Sequence, residues 1–290
     1  KRITKQWYDS KMNRFLQDRF VRGTCPNCQN PEAYSDECDV CGTQLDPSQL
    51  KDPRSQLSDA KPELKDTAHW WLDMWKVADP LKAWIETKQK SWRSAVVQEV
   101  INTVLIGCRF GNEFEEKYKE IKETLPKHKS RYVPGKKVEC LFDTKADLAT
   151  AQSTLEASGI QSTITDRWGY RPITRDVSWG IPVPPELDPD MKGKTLYVWP
   201  DSLLAPIVFT QVALEQSGRK VETYEEFWCD PEATVVQFLG QDNVFFYVIM
   251  QGSMWLGHEE NPQKLPAKGD LQMTEILSVF HLMVNGEKMS

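Results

Sequence analysis

The chain has 290 residues, of which 40% are hydrophobic and 27% are charged, the composition of an ordinary folded, soluble protein. No stretch reaches the ~18 consecutive apolar residues of a membrane span, and the polar N-terminus lacks the apolar core of a secretory signal, so we expect neither a membrane-spanning nor a secreted protein. The net charge of −6 argues against a protein that coats nucleic acid through an overall positive charge, but is compatible with an enzyme that binds RNA through a local basic patch.

Four of the seven cysteines lie close together near the N-terminus. Cys25, Cys28, Cys38 and Cys41 have the spacing C-x2-C-x9-C-x2-C, in which two C-x2-C pairs can direct four thiolates at one ion. Soft sulfur ligands favour Zn2+ and four of them leave no open position, so we predict a structural zinc site. Two buried thiol pairs, or a redox pair, are the alternatives. An odd cysteine count with such a cluster also indicates a reducing cytoplasm rather than a disulfide framework.

The first third of the chain is predicted to be irregular and then helical. We expect the polar residues 1–65 to lie irregularly around the zinc site, with Asp66 or Thr67 capping the helix that follows. Across residues 81–104 apolar side chains recur at helical intervals, and Pro80 is expected to separate two helices. Five tryptophans in this region could form a base-stacking surface, but core packing is the commoner role of such a stripe: Trp70, Trp71, Trp75, Trp84 and Trp92.

The middle of the chain is strongly charged. Lys117–Lys137 contains eight Lys or Arg and two Glu, which predicts either a patch that contacts RNA phosphate or a solvated helix and loop. Beyond it we predict a strand at Lys137–Asp143, a helix at Ala146–Ser158 and a strand at Gln161–Asp166. This pattern favours a small inserted α/β unit.

The final third alternates strands and helices, as expected for a parallel sheet. The predicted elements are strands at Thr195–Trp199, Thr234–Leu239 and Ile276–Val284 and a buried helix at Val244–Leu256. Two short polar loops, Gly240–Asn243 and Asn285–Ser290, follow strands. Open α/β sheets bind ligands beyond the carboxyl ends of their strands, so these loops are the predicted ligand-binding edge.

Six segments, in order along the chain, resemble the methionyl-tRNA synthetases, a class I family. They are Leu16–Pro26 and Ala33–Cys41 around the cysteines, Ile173–Pro184, Tyr197–Asp201, Phe238–Asn243, and Val284–Ser290, which is similar to the opening of the KMSKS signature loop. The resemblance implies an α/β fold, the second half of a class I Rossmann-type catalytic domain with a zinc-ribbon connective insert.

The same resemblance implies a division of the chain into four parts. These are a zinc-ribbon connective insert (1–66), a helical segment (67–104), a charged insertion that forms a possible small α/β unit (105–166) and the C-terminal half of the catalytic domain up to the KMSKS-like loop (167–290).

The implied activity is ATP-dependent adenylation of methionine and transfer of the methionyl group to tRNA. Mg2+ would accompany ATP. Three groups of residues are implied by position: Lys288 and Ser290 as catalytic residues of the signature loop, Gly240, Asp242 and Asn243 as the nucleotide contact, and Trp199, Asp201, Ser202 and Tyr247 as the amino-acid pocket. Asp242 would accept hydrogen bonds from the ribose, and Lys288 would stabilise the departing pyrophosphate. A helix N-cap and a solvated turn lysine are the respective alternatives.

The sequence also departs from the family pattern. The HIGH-type motif is absent and the chain has no initiator Met, so we expect a fragment that is inactive alone. Tyr247 stands where the family has a pocket histidine, and Gln241 stands for the usual lysine. Three hypotheses therefore remain: a methionyl-tRNA synthetase fragment, a paralogue that activates another amino acid, and a non-catalytic zinc- and tRNA-binding module.

Overall fold

The structure is a computed structural model. None of its described helices combines the length and the apolar character needed to cross a membrane. The residues described are 1–35, 38, 40, 45, 47–133, 135–166, 168–279, 282–284 and 287–288.

Two small antiparallel sheets form the first part of the chain, with the strand orders β2-β1-β6 and β4-β3-β5. Their strands are β1 (Arg2–Asp9), β2 (Arg14–Phe15), β3 (Val21–Thr24), β4 (Ala33–Tyr34), β5 (Lys51–Ser55) and β6 (Glu63–His69). The prediction that residues 1–65 are irregular is therefore wrong. The longest ladder joins β1 to β6. Most of the exposed residues of these two strands are charged, with Ile3 as an exception, and this polar surface concealed the alternating pattern.

The predicted helix cap at residues 66–67 is also wrong, since both residues lie inside β6. Asp66 is exposed and pairs with Lys5 at 3.1 Å, while Thr67 points the other way and is buried. Opposite exposure of consecutive residues is the signature of a strand rather than of a helix start.

The predicted helices across residues 81–104 are confirmed. After β7 (Trp71–Asp73) the chain forms α1 (Ala78–Thr87) and α2 (Ser94–Thr103). Pro80 does not separate them, because it lies in the first turn of α1, where its missing N–H is not needed. Trp84 and Trp92 are buried edge to face with ring centroids 5.3 Å apart, which confirms core packing for these two tryptophans.

The middle of the chain forms a complete βαββαβ unit. Its elements are β8 (Ile106–Gly111), α3 (Glu115–Ile121), β9 (Lys129–Val133), β10 (Lys137–Phe142), α4 (Lys145–Ala157) and β11 (Thr163–Asp166). The sheet order β11-β8-β10-β9, with all pairs antiparallel, is that of a ferredoxin-like split βαβ unit. The three predicted elements are confirmed as its second half. Ile106 lies opposite Asp166, so the unit begins and ends at the same place.

The remaining elements complete an α/β architecture. They are β12 (Tyr170–Pro172), β13 (Thr174–Arg175), β14 (Thr195–Leu196), α5 (Val198–Gln216), α6 (Glu225–Trp228), β15 (Val236–Gly240), a π-helical segment (Phe245–Met250) that continues into α7 (Gln251–His258), β16 (Glu275–Val279), β17 (Met283–Val284) and β18 (Glu287–Lys288). The predicted buried helix after residue 243 is confirmed by the π-helical segment and α7.

Strands β15 and β16 are parallel, as predicted, and both end at the same edge, where Gly240 lies opposite Val279. The predicted strand at Thr195–Trp199 is wrong beyond Leu196. Its first residues pair antiparallel with β13, and helix α5 then begins at Val198. Pro200 in the first turn of α5 explains the early switch, since proline is tolerated there and lacks the N–H that a central strand requires.

One hydrophobic core joins the two helices α1 and α2 to the C-terminal part of the chain. Leu81 and Val100 contribute from these helices, and Leu239 and Ile276 contribute from the inner face of the parallel pair. The outer face of the same pair is apolar and exposed, with Phe238 74% accessible.

Candidate functional site

Three of the four predicted metal ligands converge. The sulfur atoms of Cys25, Cys28 and Cys38 all lie within 4.8 Å of one another, and the Cys28 and Cys38 sulfurs are 3.5 Å apart. A tetrahedral ion with metal–sulfur distances of about 2.3 Å separates its ligands by about 3.8 Å. The three thiols therefore have a spacing that could hold a metal ion. Cys41 lies outside the described residues.

The local backbone explains this convergence. The N–H of Cys25 donates to the carbonyl of Asn30 at 2.8 Å, closing a tight loop in which Gln29 adopts a left-handed φ of 64°. Two donors point at the sulfurs: the Asn27 N–H lies 3.4 Å from the Cys25 sulfur and the Asn30 amide 3.6 Å from the Cys38 sulfur. Hydrogen bonds to sulfur are expected around thiolates that carry negative charge.

The predicted nucleotide contact lies at the carboxyl edge of the parallel pair. β15 ends at Gly240, which is extended (φ −70°, ψ 152°) and occupies the N-cap position of the short helical turn Gln241–Asn243. Asp242 is therefore inside the first turn and is exposed to solvent. The N-cap position, which the alternative interpretation gave to Asp242, is held by Gly240. A carboxylate here can accept hydrogen bonds from a ligand that reaches the sheet edge.

The structure brings Trp199 against the helix that follows this turn. Its ring stacks on that of Phe246 with centroids 3.7 Å apart and planes 10° apart. Tyr247 is the next residue and is half-buried. Arg171 lies over the neighbouring Phe245 ring at 4.5 Å. Phe246 was not predicted as a site residue, although the aromatic run at residues 245–247 is a signal in the sequence.

The other two predicted pocket residues follow Trp199 on α5, where Asp201 is exposed and Ser202 is half-buried. A cavity of about 460 Å³ opens one turn further on, and none of the four predicted pocket residues lines it. Its lining is mostly apolar and includes Leu203, Met254 and the buried Gln251.

Gln251 belongs to a buried polar chain that sequence reasoning missed. Its amide donates to the Leu203 carbonyl at 2.8 Å, and its carbonyl accepts from Gln237 at 2.6 Å. Gln237 also lies 2.6 Å from the Thr274 hydroxyl. These hydrogen bonds fix α5 against β15 and α7, and so fix the base of the cavity that Leu203 and Gln251 line.

The predicted catalytic residues are only partly described. Lys288 lies in β18, with Met283 of β17 as its cross-strand partner. Ser290 lies outside the described residues.

A second polar cluster, which was not predicted, joins the N-terminal sheet to the chain that returns after residue 173. Asp176 is its centre: one carboxylate oxygen accepts from Thr67 at 2.8 Å and lies 3.1 Å from His69 Nε2, while the other pairs with buried Lys194. His69 Nδ1 in turn lies 3.0 Å from the Thr174 hydroxyl. Burial alone would raise the pKa of Asp176, but hydrogen bonds and charges from His69 and Lys194 outweigh it, and the net pKa is lowered.

We expect Asp176→Asn to lower the free energy of unfolding by about 2 to 3 kcal/mol at pH 7, because it leaves Lys194 buried without its anion. An aspartate whose folded pKa is lowered stabilises the fold above its unfolded pKa of about 3.9, and this contribution is lost as the pH falls through the folded value. Urea unfolding at pH 7 and pH 3 should therefore show a gap between wild type and variant that narrows in acid.

The control for this prediction is Asp66→Asn, which breaks the exposed pair with Lys5 and should cost under about 1 kcal/mol. A gap between wild type and Asp176→Asn that stays constant from pH 7 to pH 3 would contradict the assignment.

A family model and several curated relatives match most of this chain. The family model described as "tRNA synthetases class I (M)" matches residues 1–108 and 141–290. The methionine–tRNA ligase of Chlorobium phaeobacteroides is 34% identical over 86% of this chain, that of Chlorobium limicola 33% over 91%, and that of Parabacteroides distasonis 31% over 94%. The chain spans 27%, 29% and 30% of these relatives, respectively.

Among solved structures, the methionyl-tRNA synthetase of Mycobacterium tuberculosis bound by methionyl-adenylate aligns with 97% of this chain and 35% of its own. The TM-score is 0.41 and the identity 12%. A second structure of the same protein with methionyl-adenylate gives a TM-score of 0.43 over 99% of this chain and 36% of its own.

Proposed function

This chain belongs to the class I tRNA synthetase family of the M type, and we propose that it is part of an enzyme that activates methionine with ATP and transfers the methionyl group to tRNA. The observation that carries the proposal is the edge of the parallel pair. There an exposed Asp242 lies in the turn directly before the helix on which Phe246 stacks with Trp199. A hydrogen-bonding anion beside an aromatic wall suits an adenylate, which presents ribose hydroxyls next to an apolar side chain.

In this proposal Gly240, Asp242 and Asn243 bind the nucleotide. Gly240 lets the backbone approach the sugar closely, and the Asp242 carboxylate accepts from both ribose hydroxyls. Lys288 and Ser290 act on the triphosphate from the signature loop. A cation there binds charge that develops on the departing pyrophosphate, which lowers the barrier rather than tightening ground-state binding. Mg2+ supplies charge neutralisation when ATP is bound.

The amino-acid pocket in this proposal is formed by Trp199, Asp201, Ser202 and Tyr247. The Trp199–Phe246 stack gives it one rigid aromatic wall, which can pack against a flexible thioether. Asp201 in the first turn of α5 is the anion available to the substrate ammonium group. Tyr247 adds a hydroxyl, for which the methionine thioether is only a weak acceptor.

We assign Zn2+ to the cysteine cluster, with Cys41 as the fourth ligand beside Cys25, Cys28 and Cys38. The spacing of the three described sulfurs and the donors aimed at them fit a thiolate site. This makes residues 1–66 a zinc-ribbon connective insert. A reduced thiolate cluster is the reason to place the protein in the cytoplasm.

The remaining parts follow the division 67–104, 105–166 and 167–290. In this proposal residues 167–290 are the C-terminal half of a Rossmann-type catalytic domain, and the helical segment 67–104 supports it through a shared core.

ATP–pyrophosphate exchange by the full-length parent enzyme, measured with methionine and then with each other amino acid, tests the proposal. We expect exchange with methionine and a drop of at least about tenfold with each competitor, the discrimination that about 1.4 kcal/mol provides. Selective exchange with another amino acid would make the protein a paralogue with changed specificity. Exchange with no amino acid would make it a non-catalytic module.

A further inference from the structure

The ferredoxin-like unit has one covered and one open sheet face. Helices α3 and α4 pack on the covered face, against the buried residues Cys108, Phe110, Val138 and Cys140. Strand residues alternate between faces, so Arg109 and Glu139 point to the other side. The family model leaves residues 109–140 unmatched, and these contain α3, β9 and the start of β10.

This open face is positively charged. Glu139 at its centre lies opposite Arg109 on one neighbouring strand and opposite Arg131 on the other. Lys129 and Lys137 lie two positions along the same strands, on the same side. Arg131 and both lysines are exposed, and Arg109 is partly exposed. Four cations thus surround the Glu139 carboxylate, and a second carboxylate, that of Glu113, lies beside Gly111, the cross-strand partner of Lys137.

The carboxylate is completely buried beneath the two arginines. Glu139 Oε1 accepts from Arg109 Nε at 2.8 Å, and Oε2 accepts from Arg131 Nε and lies close to Arg131 Nη2, each at 2.7 Å. Within the described part of the chain, the Nη nitrogens of Arg109 make no hydrogen bond. The buried glutamate therefore holds two guanidinium groups in fixed positions, and the Arg131 side chain remains exposed to solvent. Groups fixed in advance lose less entropy when they bind an anion.

Two features extend this surface. The segment Lys127–Lys137, which forms the β9–β10 hairpin, has five basic and no acidic residues. At its turn a methyl group added to Gly135 would lie 2.6 Å from the Asn27 side chain, so the hairpin reaches the cysteine loop. Arg109 and Lys137 also line an open cavity of about 580 Å³, which they share with Gln161 and the two acidic residues Glu113 and Glu156.

We propose that the open face of residues 106–166 binds the phosphate backbone of RNA. The inference rests on the proposed function, and it adds a tRNA contact to that of the catalytic site. A protein interface needs buried aromatic or aliphatic anchors, and a lipid surface needs exposed apolar side chains. The apolar side chains of this face among the described residues are Val133, half-buried, and Leu141, buried. Positioned cations without such anchors suit a polyanion.

The test compares two triple variants of this chain that remove the same charge. Lys129→Gln, Arg131→Gln and Lys137→Gln neutralise the open face. Lys117→Gln, Lys119→Gln and Lys122→Gln neutralise the α3 segment. Binding of fluorescein-labelled unfractionated tRNA is measured by anisotropy between about 50 and 200 mM KCl, a range in which phosphate contacts are strongly salt-dependent.

We expect the open-face variant to raise Kd by at least about tenfold at 100 mM salt and to lower the slope of log K against log salt by about 2, since each lost phosphate contact removes about 0.7 to 0.9. The α3 variant should change Kd by less than about twofold. Equal weakening by both triples, or weakening by neither, would overturn the proposal. The single variant Lys137→Glu checks the result independently, because one exposed reversal leaves the buried Glu139 network in place.

Failure of this proposal is distinguishable from failure of the proposed function. Adenylation precedes tRNA binding, so the open-face triple in the full-length parent should leave ATP–pyrophosphate exchange unchanged. Methionine-selective exchange with tRNA binding that ignores the open face would refute the RNA contact alone. Patch-dependent tRNA binding without exchange would refute the enzyme and keep the contact.

Discussion

Replacement of Cys38 by Ser is expected to release the bound metal and to lower the free energy of unfolding by more than about 4 kcal/mol. Structural zinc contributes its binding energy directly to folding, because the site does not exist in the unfolded chain. The surrounding core is small and built on Trp7, Val21 and Leu50 together with two of the cysteines themselves. Zinc content by atomic emission and the thermal unfolding midpoint, each with and without a chelator, measure the effect.

Cys229→Ser is the matched control, since this thiol is also buried but lies far along the chain in a separate apolar cluster. It should retain full zinc content. Cys41→Ser should behave like Cys38→Ser if it is the fourth ligand, and full zinc retention in that variant would remove it from the site. A Cys38→Ser protein that keeps its metal would refute the zinc assignment itself.

Substitution of Asp242 by Ala in the full-length parent is expected to lower kcat/KM for ATP–pyrophosphate exchange by about 100- to 10,000-fold. The carboxylate would accept two charge-assisted hydrogen bonds, each worth about 1.5 to 3 kcal/mol, and every 1.4 kcal/mol is a factor of ten. Asp242 is exposed beyond the end of β15 and contributes no buried side chain to the core, so the variant should still fold.

Asp242→Asn separates charge from shape, because it keeps one acceptor and should lose less activity than Asp242→Ala. Glu232→Ala removes another exposed carboxylate shortly before β15 and should leave exchange within about twofold. Retention of more than half of the wild-type kcat/KM by Asp242→Ala would place the nucleotide elsewhere.

Local patterns were readable from the sequence. The cysteine spacing led to three converging sulfurs, and helical periodicity found α1, α2 and α4, because the residues that determine these features are neighbours along the chain. The parallel pairing of β15 and β16 was also anticipated, since buried strands separated by a helix rarely pair otherwise.

Features that depend on distant partners were not readable. The ladder between β1 and β6 joins segments separated by the whole cysteine region, and its charged outer residues suggested a loop. The cluster of Asp176, His69 and Lys194 has no local pattern, because its members become neighbours only after folding. Trp199 was assigned to a strand because β-branched and aromatic residues precede it. Pro200 favours the helix instead, since proline is tolerated in the first turn of a helix and lacks the N–H that a central strand requires.

The ferredoxin-like unit enters at Ile106 and leaves at Asp166, which are cross-strand partners. For the surrounding core, this long excursion therefore acts as a connection of only one strand spacing. Once the unit has formed, the entropic cost of bringing residue 168 close to α2 is reduced to that of closing a short turn. Its own contacts are contiguous in the chain, so it can form during synthesis before the distant halves of the main core meet. The same geometry explains how such a segment can be gained or lost without moving the elements on either side.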